Sequence, residues 1–288
     1  MSVTVDAHHH FLDPEHTEYP WITPTLAAID RRFGPEDLGP ELAMAGIDRS
    51  VLVQAISSVE ETREFLATAA RVPFIAGVVG WVALTDPDVA GSIGRLRGGP
   101  GGDRLVGIRH QVHDEPDPAW LLRADVERGL AAVEAASFTY DLLVRARELP
   151  AALQVARARP GLRLVIDHLA KPPIRSGRLE PWRTLLRPFG DCPNVWCKVS
   201  GLVTEADRVA WQPSDLAPYV AVALEVFGPS RLIFGSDWPV CLLAASYERV
   251  VSVARALTAG LSASERDAVF GGAAASAYAL SLPPDRVG

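Results

Sequence analysis

Eight short apolar runs, each bounded by turn residues, are spaced along the chain: VTVDAHH (3–9), SVLVQAI (50–56), FIAGVVGWV (74–82), LVGIRHQV (105–112), FTYDLLV (138–144), LRLVIDHL (162–169), NVWCKVSG (194–201) and RLIFGSDW (231–238). They are rich in Val and Ile and more continuous than alternating, which predicts strands buried on both faces, as in a parallel sheet. Most of the gaps carry a helical pattern. Ser58-Val59-Glu60-Glu61 has the Ser-x-x-Glu arrangement of a helix start ahead of TREFLATAAR, and AWLLRADVERGLAAVEAA and DLAPYVAVALEVF repeat apolar residues at helical spacing. Strand and helix alternating eight times predict a sheet closed on itself, an α/β fold of the (β/α)8 TIM barrel type. SYERVVSVARALTAGL, SASERDAVF and AAASAYAL then predict extra C-terminal helices. No Gly/Pro/Ser-rich linker and no long-period repeat divides the chain, so residues 1–288 are expected to form a single barrel domain. The GGPGGDR segment (98–104) follows no strand and lacks the Lys-Ser/Thr of a phosphate loop, so it reads as a turn.

Composition narrows the class of partner. The 288 residues suit one barrel of roughly 250 residues plus additions. Apolar residues make up 48% and charged residues 22%, the balance of a chain with a large core. A net charge of −7 without a Lys/Arg cluster argues against nucleic acid and anionic membranes, leaving a small molecule as the expected partner and a homo-oligomer as an open option. With no basic-then-apolar leader and no run of about 20 apolar residues, a cytoplasmic location is expected. Cys192, Cys197 and Cys241 are an odd, scattered trio and read as buried apolar residues.

The polar residues of the eight runs gather at their C-terminal ends, the face that carries the active site in such barrels. His8 and His10 close the first run, Gln54 falls late in the second, Trp81 in the third, Arg109 and His110 in the fourth, Tyr140 and Asp141 in the fifth, His168 in the sixth, Lys198 in the seventh and Asp237 in the eighth. The VDAHHHF stretch is embedded between Val5 and Phe11, unlike an affinity tag. Strand alternation puts His8 and His10 on one side, with His9 and Ala7 on the other. By the same rule His168 shares a face with Leu164 and Ile166 while Asp167 points away, and only one of the neighbours Arg109 and His110 is expected to face inward; Arg109 is favoured because a guanidinium can orient an anionic or polar substrate bidentately.

Two histidines from the first strand, one from the sixth and an aspartate from the eighth make a hydrolytic set. Asp237 can take a proton from water. His8, His10 and His168 can polarise a carbonyl directly or, with Asp237, ligate one divalent metal: Zn²⁺, Mn²⁺ or Fe²⁺.

The sequence resembles the amidohydrolase superfamily in Asp6 followed by His8-x-His10, in TEYPW, GIRH, DHLAKP and KVSG, and in FGSDWPV. It is most similar to the superfamily's branch of lactonases acting on sugar lactones and on lactones of aromatic degradation. That resemblance implies hydrolysis of a small cyclic ester, such as L-fuconolactone, L-rhamnonolactone or a carboxylated lactone. Asp237 would be the base, His8, His10 and His168 would surround the carbonyl or a metal, and Arg109, Tyr140 and Lys198 would line the substrate end. Trp21, Trp81 and Trp238 could stack on a sugar ring, whereas Arg109, Lys171 and Lys198 would favour a carboxylate. The fourth and fifth strands lack the bridging Lys/Glu and the His of binuclear relatives, so the expectation is one metal, zinc before manganese, or none. Relatives carry Asn-Ala-x-Arg-x-Tyr where this chain reads Ala273 to Tyr278, without the Asn and Arg. A metal-dependent decarboxylase of an aromatic acid and a ligand-binding barrel without turnover are the alternatives.

Overall fold

The computed structural model describes residues 2–282; residue 1 and residues 283–288 of the expected domain lie outside that span. Eight parallel strands run in chain order around one sheet: β1 (Val5–His9), β2 (Arg49–Val53), β3 (Ile75–Gly80), β4 (Leu105–His110), β5 (Thr139–Leu142), β6 (Leu164–Ile166), β7 (Val195–Val199) and β8 (Leu232–Phe234). A parallel bridge between His9 and Trp238 joins the two edges, with His10 N–H donating to the Trp238 carbonyl at 2.7 Å. The sheet is thereby a (β/α)8 barrel. Helices α1 (Pro35–Ala45), α2 (Val59–Ala69), α3 (Val89–Arg97), α4 (Ala124–Ala135), α5 (Leu149–Ala158) and α6 (Trp182–Leu186) follow the first six strands. After β7 come a short α7 (Leu202–Glu205) and α8 (Pro213–Phe227); after β8 come α9 (Tyr247–Leu257), α10 (Ala263–Asp267) and α11 (Ala273–Tyr278).

Two apolar layers follow from strand alternation. Outward-facing Leu52, Val78, Ile108, Leu142, Leu164, Ile166, Cys197 and Phe234 join the helices in one large core. Inward-facing Val5, Ala7, Val51, Val53, Val79, Val165 and Ile233 form a small floor, sealed from below by Ala273, Ala274, Ala277 and Tyr278 of α11. The closing helix therefore plugs the end of the barrel opposite the loops. Cys192, Cys197 and Cys241 are buried free thiols, as expected. Among the described residues no helix is long and apolar enough to cross a membrane.

Candidate active site

A bulge in β1 aims the histidines. Asp6 pairs with Ser50 and His9 with Leu52, so three steps along β1 meet two along β2 and the inward phase shifts by one residue. Val5 and Ala7 face inward before the bulge; His8 and His10 do so after it. His9 turns outward, its Nε2 2.9 Å from Ser50 Oγ. The expectation that Ala7 shares His9's side fails because simple alternation does not survive the extra residue. Asp6 ties the bulge to the end of β8, accepting from the N–H groups of His8 (3.2 Å) and Ser236 (2.8 Å) and from the Tyr247 hydroxyl (3.1 Å). Burial raises its carboxyl to about 6, and these donors temper the rise.

Left-handed backbone aims the other two groups. Asp237 sits at φ 61, its N–H donating to the His8 carbonyl at 2.8 Å. After β6, His168, Leu169, Ala170 and Lys171 all have positive φ (53, 51, 58 and 49). Such residues cost roughly 1–2 kcal/mol each outside glycine, so surrounding contacts must impose this turn. It corrects the expected faces. Leu164 and Ile166 belong to the outer core, Asp167 continues the inward face of Val165, and the reversed backbone swings His168 inward as well.

The four side chains converge. Asp237 Oδ1 lies 3.6 Å from His10 Nε2, 3.8 Å from His8 Nε2 and 3.9 Å from His168 Nε2. The far nitrogens of two rings are anchored: His10 Nδ1 donates to the Val53 carbonyl at 2.8 Å, and His168 Nδ1 is 2.9 Å from Ser200 Oγ. Burial lowers His168 to about 3, and burial with the charge of Lys198 holds His8 well below its ordinary value, so both rings are neutral near pH 7. Burial would raise Asp237, but His168 and His10 outweigh it and the carboxyl stays below its usual range, ionised at neutral pH. Ligand atoms of His8, His168 and Asp237 all lie within 4.8 Å of one another, and two neutral imidazoles, that of His168 held at its far nitrogen by Ser200, beside a carboxylate fit a divalent metal. His10 stands at the edge of that group.

Beneath the histidines lies a layer of buried charge. Lys198 Nζ is 2.6 Å from Asp141 Oδ2, 2.9 Å from Asp167 Oδ1 and 3.1 Å from His8 Nδ1, with no exposed surface. It therefore cannot line the substrate end as expected. Arg109 faces inward, donating to Asp167 Oδ2 at 3.0 Å and to the Gln54 carbonyl. Tyr140 faces the outer core with its hydroxyl unpartnered, because Thr139 and Asp141 occupy β5's inward positions; it too leaves the expected substrate set. Trp81 supports the wall from behind, Nε1 donating to His110 Nδ1 at 3.1 Å, and Trp238 is packed between Phe11 and Phe33.

The open cleft above Asp237 has about 590 Å³ of space and is lined by Trp21, Arg109, Gln111, His113, Lys171 and Val240, among others. Of the three expected tryptophans, Trp21 alone lines it, and Lys171 Nζ is paired with Glu205 at 2.9 Å. Sequence reasoning missed Gln111, His113, Ser200 and Glu205, left Asp141 at the end of its run without a role, and turned Asp167 away from the site.

Glu61 orders the cleft's edge. As predicted, Ser58 Oγ caps α2 by accepting from Glu61 N–H (3.1 Å), but the Glu61 carboxylate accepts instead from the N–H groups of Ala55 (3.0 Å) and Ile56 (3.2 Å). The Ala55 carbonyl in turn receives Trp21 Nε1–H at 3.0 Å. Burial lifts Glu61 to about 7 despite these donors. A folded-state value above the ordinary 4.5 means its stabilising contribution is complete below pH 4.5 and is lost as pH rises through 7. Glu61→Gln should remove a decline on the order of 2–3 kcal/mol over that window, read as the pH dependence of urea midpoints against wild type. Parallel curves for the two proteins would exclude this role.

The amidohydrolase family model matches residues 5–280. The chain belongs to the amidohydrolase family. Among this amidohydrolase's relatives, L-fucono-1,5-lactonase of Burkholderia ambifaria is 44% identical over 86% of this chain and 84% of its own. L-fucono-1,5-lactonase of Burkholderia multivorans is 41% identical over 99% and 98%. A crystal structure of an amidohydrolase from Burkholderia multivorans with bound zinc superposes with a TM-score of 0.91 at 40% identity, covering 97% of this chain and 100% of that one.

Proposed function

We propose that this amidohydrolase hydrolyses a neutral sugar-acid lactone, with Asp237 as the base. The carrying observation is the Asp237 carboxylate faced by three imidazole nitrogens at 3.6–3.9 Å, at the bottom of a cleft whose cations are all paired. The relatives named L-fucono-1,5-lactonase support a 1,5-lactone of a six-carbon deoxy sugar acid. With the lactone carbonyl among His8, His10 and His168, a water between Asp237 and the carbonyl carbon gives its proton to the carboxylate as the C–O bond forms. Imidazole N–H groups facing the carbonyl oxygen stabilise the oxyanion. Collapse breaks the ring C–O bond, Asp237 returns the proton to the leaving alkoxide, and an open hydroxy acid departs. His8, His168 and Asp237, with His10 beside them, would hold a divalent ion, and we favour zinc; bound there it would supply Lewis-acid polarisation of the carbonyl.

Charge favours a sugar lactone over a carboxylated one. Arg109, Lys171 and Lys198 were expected to make the cleft cationic, yet each is neutralised, by Asp167, by Glu205 and by Asp141 with Asp167. Asp114 lines the cleft, and Glu18 and Glu115 line its outward continuation. An added carboxylate would meet no free cation there, which also disfavours decarboxylation of an aromatic acid. Trp21, Leu143 and Val240 offer apolar surface to a ring, and Gln111 and His113 offer hydrogen bonds to hydroxyls. Acid release should be followed for a panel of neutral sugar lactones and muconolactone-type carboxylates, with and without chelation and zinc restoration. Neutral lactones are expected to lead in kcat/KM by about tenfold or more. Faster turnover of the carboxylated group would overturn the substrate class, and no turnover by folded, metal-replete protein would overturn hydrolysis.

A further inference from the structure

The buried charge beneath the histidines has a direction. An ammonium offers three N–H donors and no acceptor, and those of Lys198 face Asp141 Oδ2, Asp167 Oδ1 and His8 Nδ1. A ring nitrogen that receives an ammonium N–H must present its lone pair, which leaves the His8 proton on Nε2. At the opposite end His8 Nε2 lies 3.3 Å from Nε2 of His10, whose ring is held by Nδ1–H donating to the Val53 carbonyl. Arg109 Nη1 also lies 3.3 Å from His8 Nε2, but it has a better acceptor in Asp167 Oδ2 at 3.0 Å. Below Lys198, the Tyr278 hydroxyl of α11 reaches through the barrel floor to Asp141 Oδ2 (2.7 Å) and Oδ1 (2.9 Å), and its ring lies 5.3 Å from the ammonium. Asp141, Asp167, Lys198 and His8 have no exposed surface, and Tyr278 is 2% exposed, so water does not compete for these bonds.

We propose that Lys198, held by Asp141 and Tyr278, sets His8 of the metal-free enzyme as an Nε2–H donor toward the cleft, making these three positioning residues for the reaction. The C-terminal helix thereby acts on the chemistry from the opposite end of the barrel. A metal at His8 Nε2 would require the other tautomer, with Nδ1–H facing Asp167 Oδ1 at 3.4 Å. The consequence for rate rests on the hydrolytic reading above; the proton assignment does not.

Long-range ¹H–¹⁵N spectra of histidine-labelled, metal-free protein read the tautomer directly, with His8 identified by the signals missing from His8→Gln. Wild type should show His8 protonated at Nε2 alone. Tyr278→Phe keeps the ring that plugs the floor and removes the hydroxyl; it should give mixed His8 tautomers and lower kcat about tenfold with KM within about twofold. Lys198→Met should move the His8 proton to Nδ1, and if that variant does not fold, Tyr278→Phe carries the test alone. A wild-type His8 protonated at Nδ1, or a Tyr278→Phe enzyme with wild-type spectrum and kcat, would overturn the proposal. The expected spectra with no lactone turned over by wild type would leave the proton assignment standing and remove the hydrolytic reading instead.

Discussion

Asp237→Asn should lower kcat/KM for the preferred lactone by at least about 10³-fold while the protein remains folded, because a carboxamide cannot take a proton from water. A loss of that size corresponds to about 4 kcal/mol of transition-state stabilisation. Asparagine is the right probe because residue 237 sits at φ 61, a conformation that Asn tolerates and Ala does not. The backbone bond from residue 237 N–H to the His8 carbonyl, which helps close the barrel, is untouched. The side chain's ion contacts are with His8, His10 and His168, all in the site, so the melting temperature should stay close to wild type. Initial rates and a thermal melt on the same preparation check both halves. Retention of even a tenth of the activity would rule out Asp237 as the base and leave water activation to an imidazole.

The barrel was legible because its signals are local and repeated eight times. Strand ends were legible only in part. The LRLVIDHL and RLIFGSDW runs each predict eight extended residues, where β6 and β8 contain three. The remainder leaves the ladder to become the site, and strand propensity does not distinguish a residue that pairs from one that turns away at positive φ. Nothing in Leu169, Ala170 or Lys171 announces a left-handed turn, since none of these types favours it.

Phase failed for the same reason. His8 and His10 were placed together correctly, although the bulge behind them was invisible and misplaced Ala7. Asp141 and Asp167 were hidden by their neighbours Tyr140 and His168, which look more like site residues. Counting which positions point inward places a carboxylate on β5 and another just past the end of β6, and these are the partners that cancel the cations of the fourth and seventh strands. Reading the cations without them gave the pocket the wrong charge.

Gly201→Ala tests whether this strained geometry is required. Gly201 follows Ser200, which anchors His168, and stands at φ 64 where α7 begins. A Cβ there would lie 2.7 Å from His168 Nδ1, closer than real contacts allow, and a tight 3.1 Å from Asp237 Oδ2, and His168 is a packed ring rather than the free end of a flexible chain. Either the ring moves off Ser200 or the backbone leaves the left-handed region, and both displace the base and an imidazole together. Strain at positive φ with the clash should cost on the order of 1–3 kcal/mol of stability. Misplacing two reacting groups by a fraction of an ångström should lower kcat by about 10²-fold. The two losses separate in a single experiment at a temperature well below the melting point, where the variant is fully folded and only the misplacement acts. A Gly201→Ala enzyme with wild-type kcat there would show that the site tolerates movement of His168, and the convergence of the three imidazoles on Asp237 would then not set the rate.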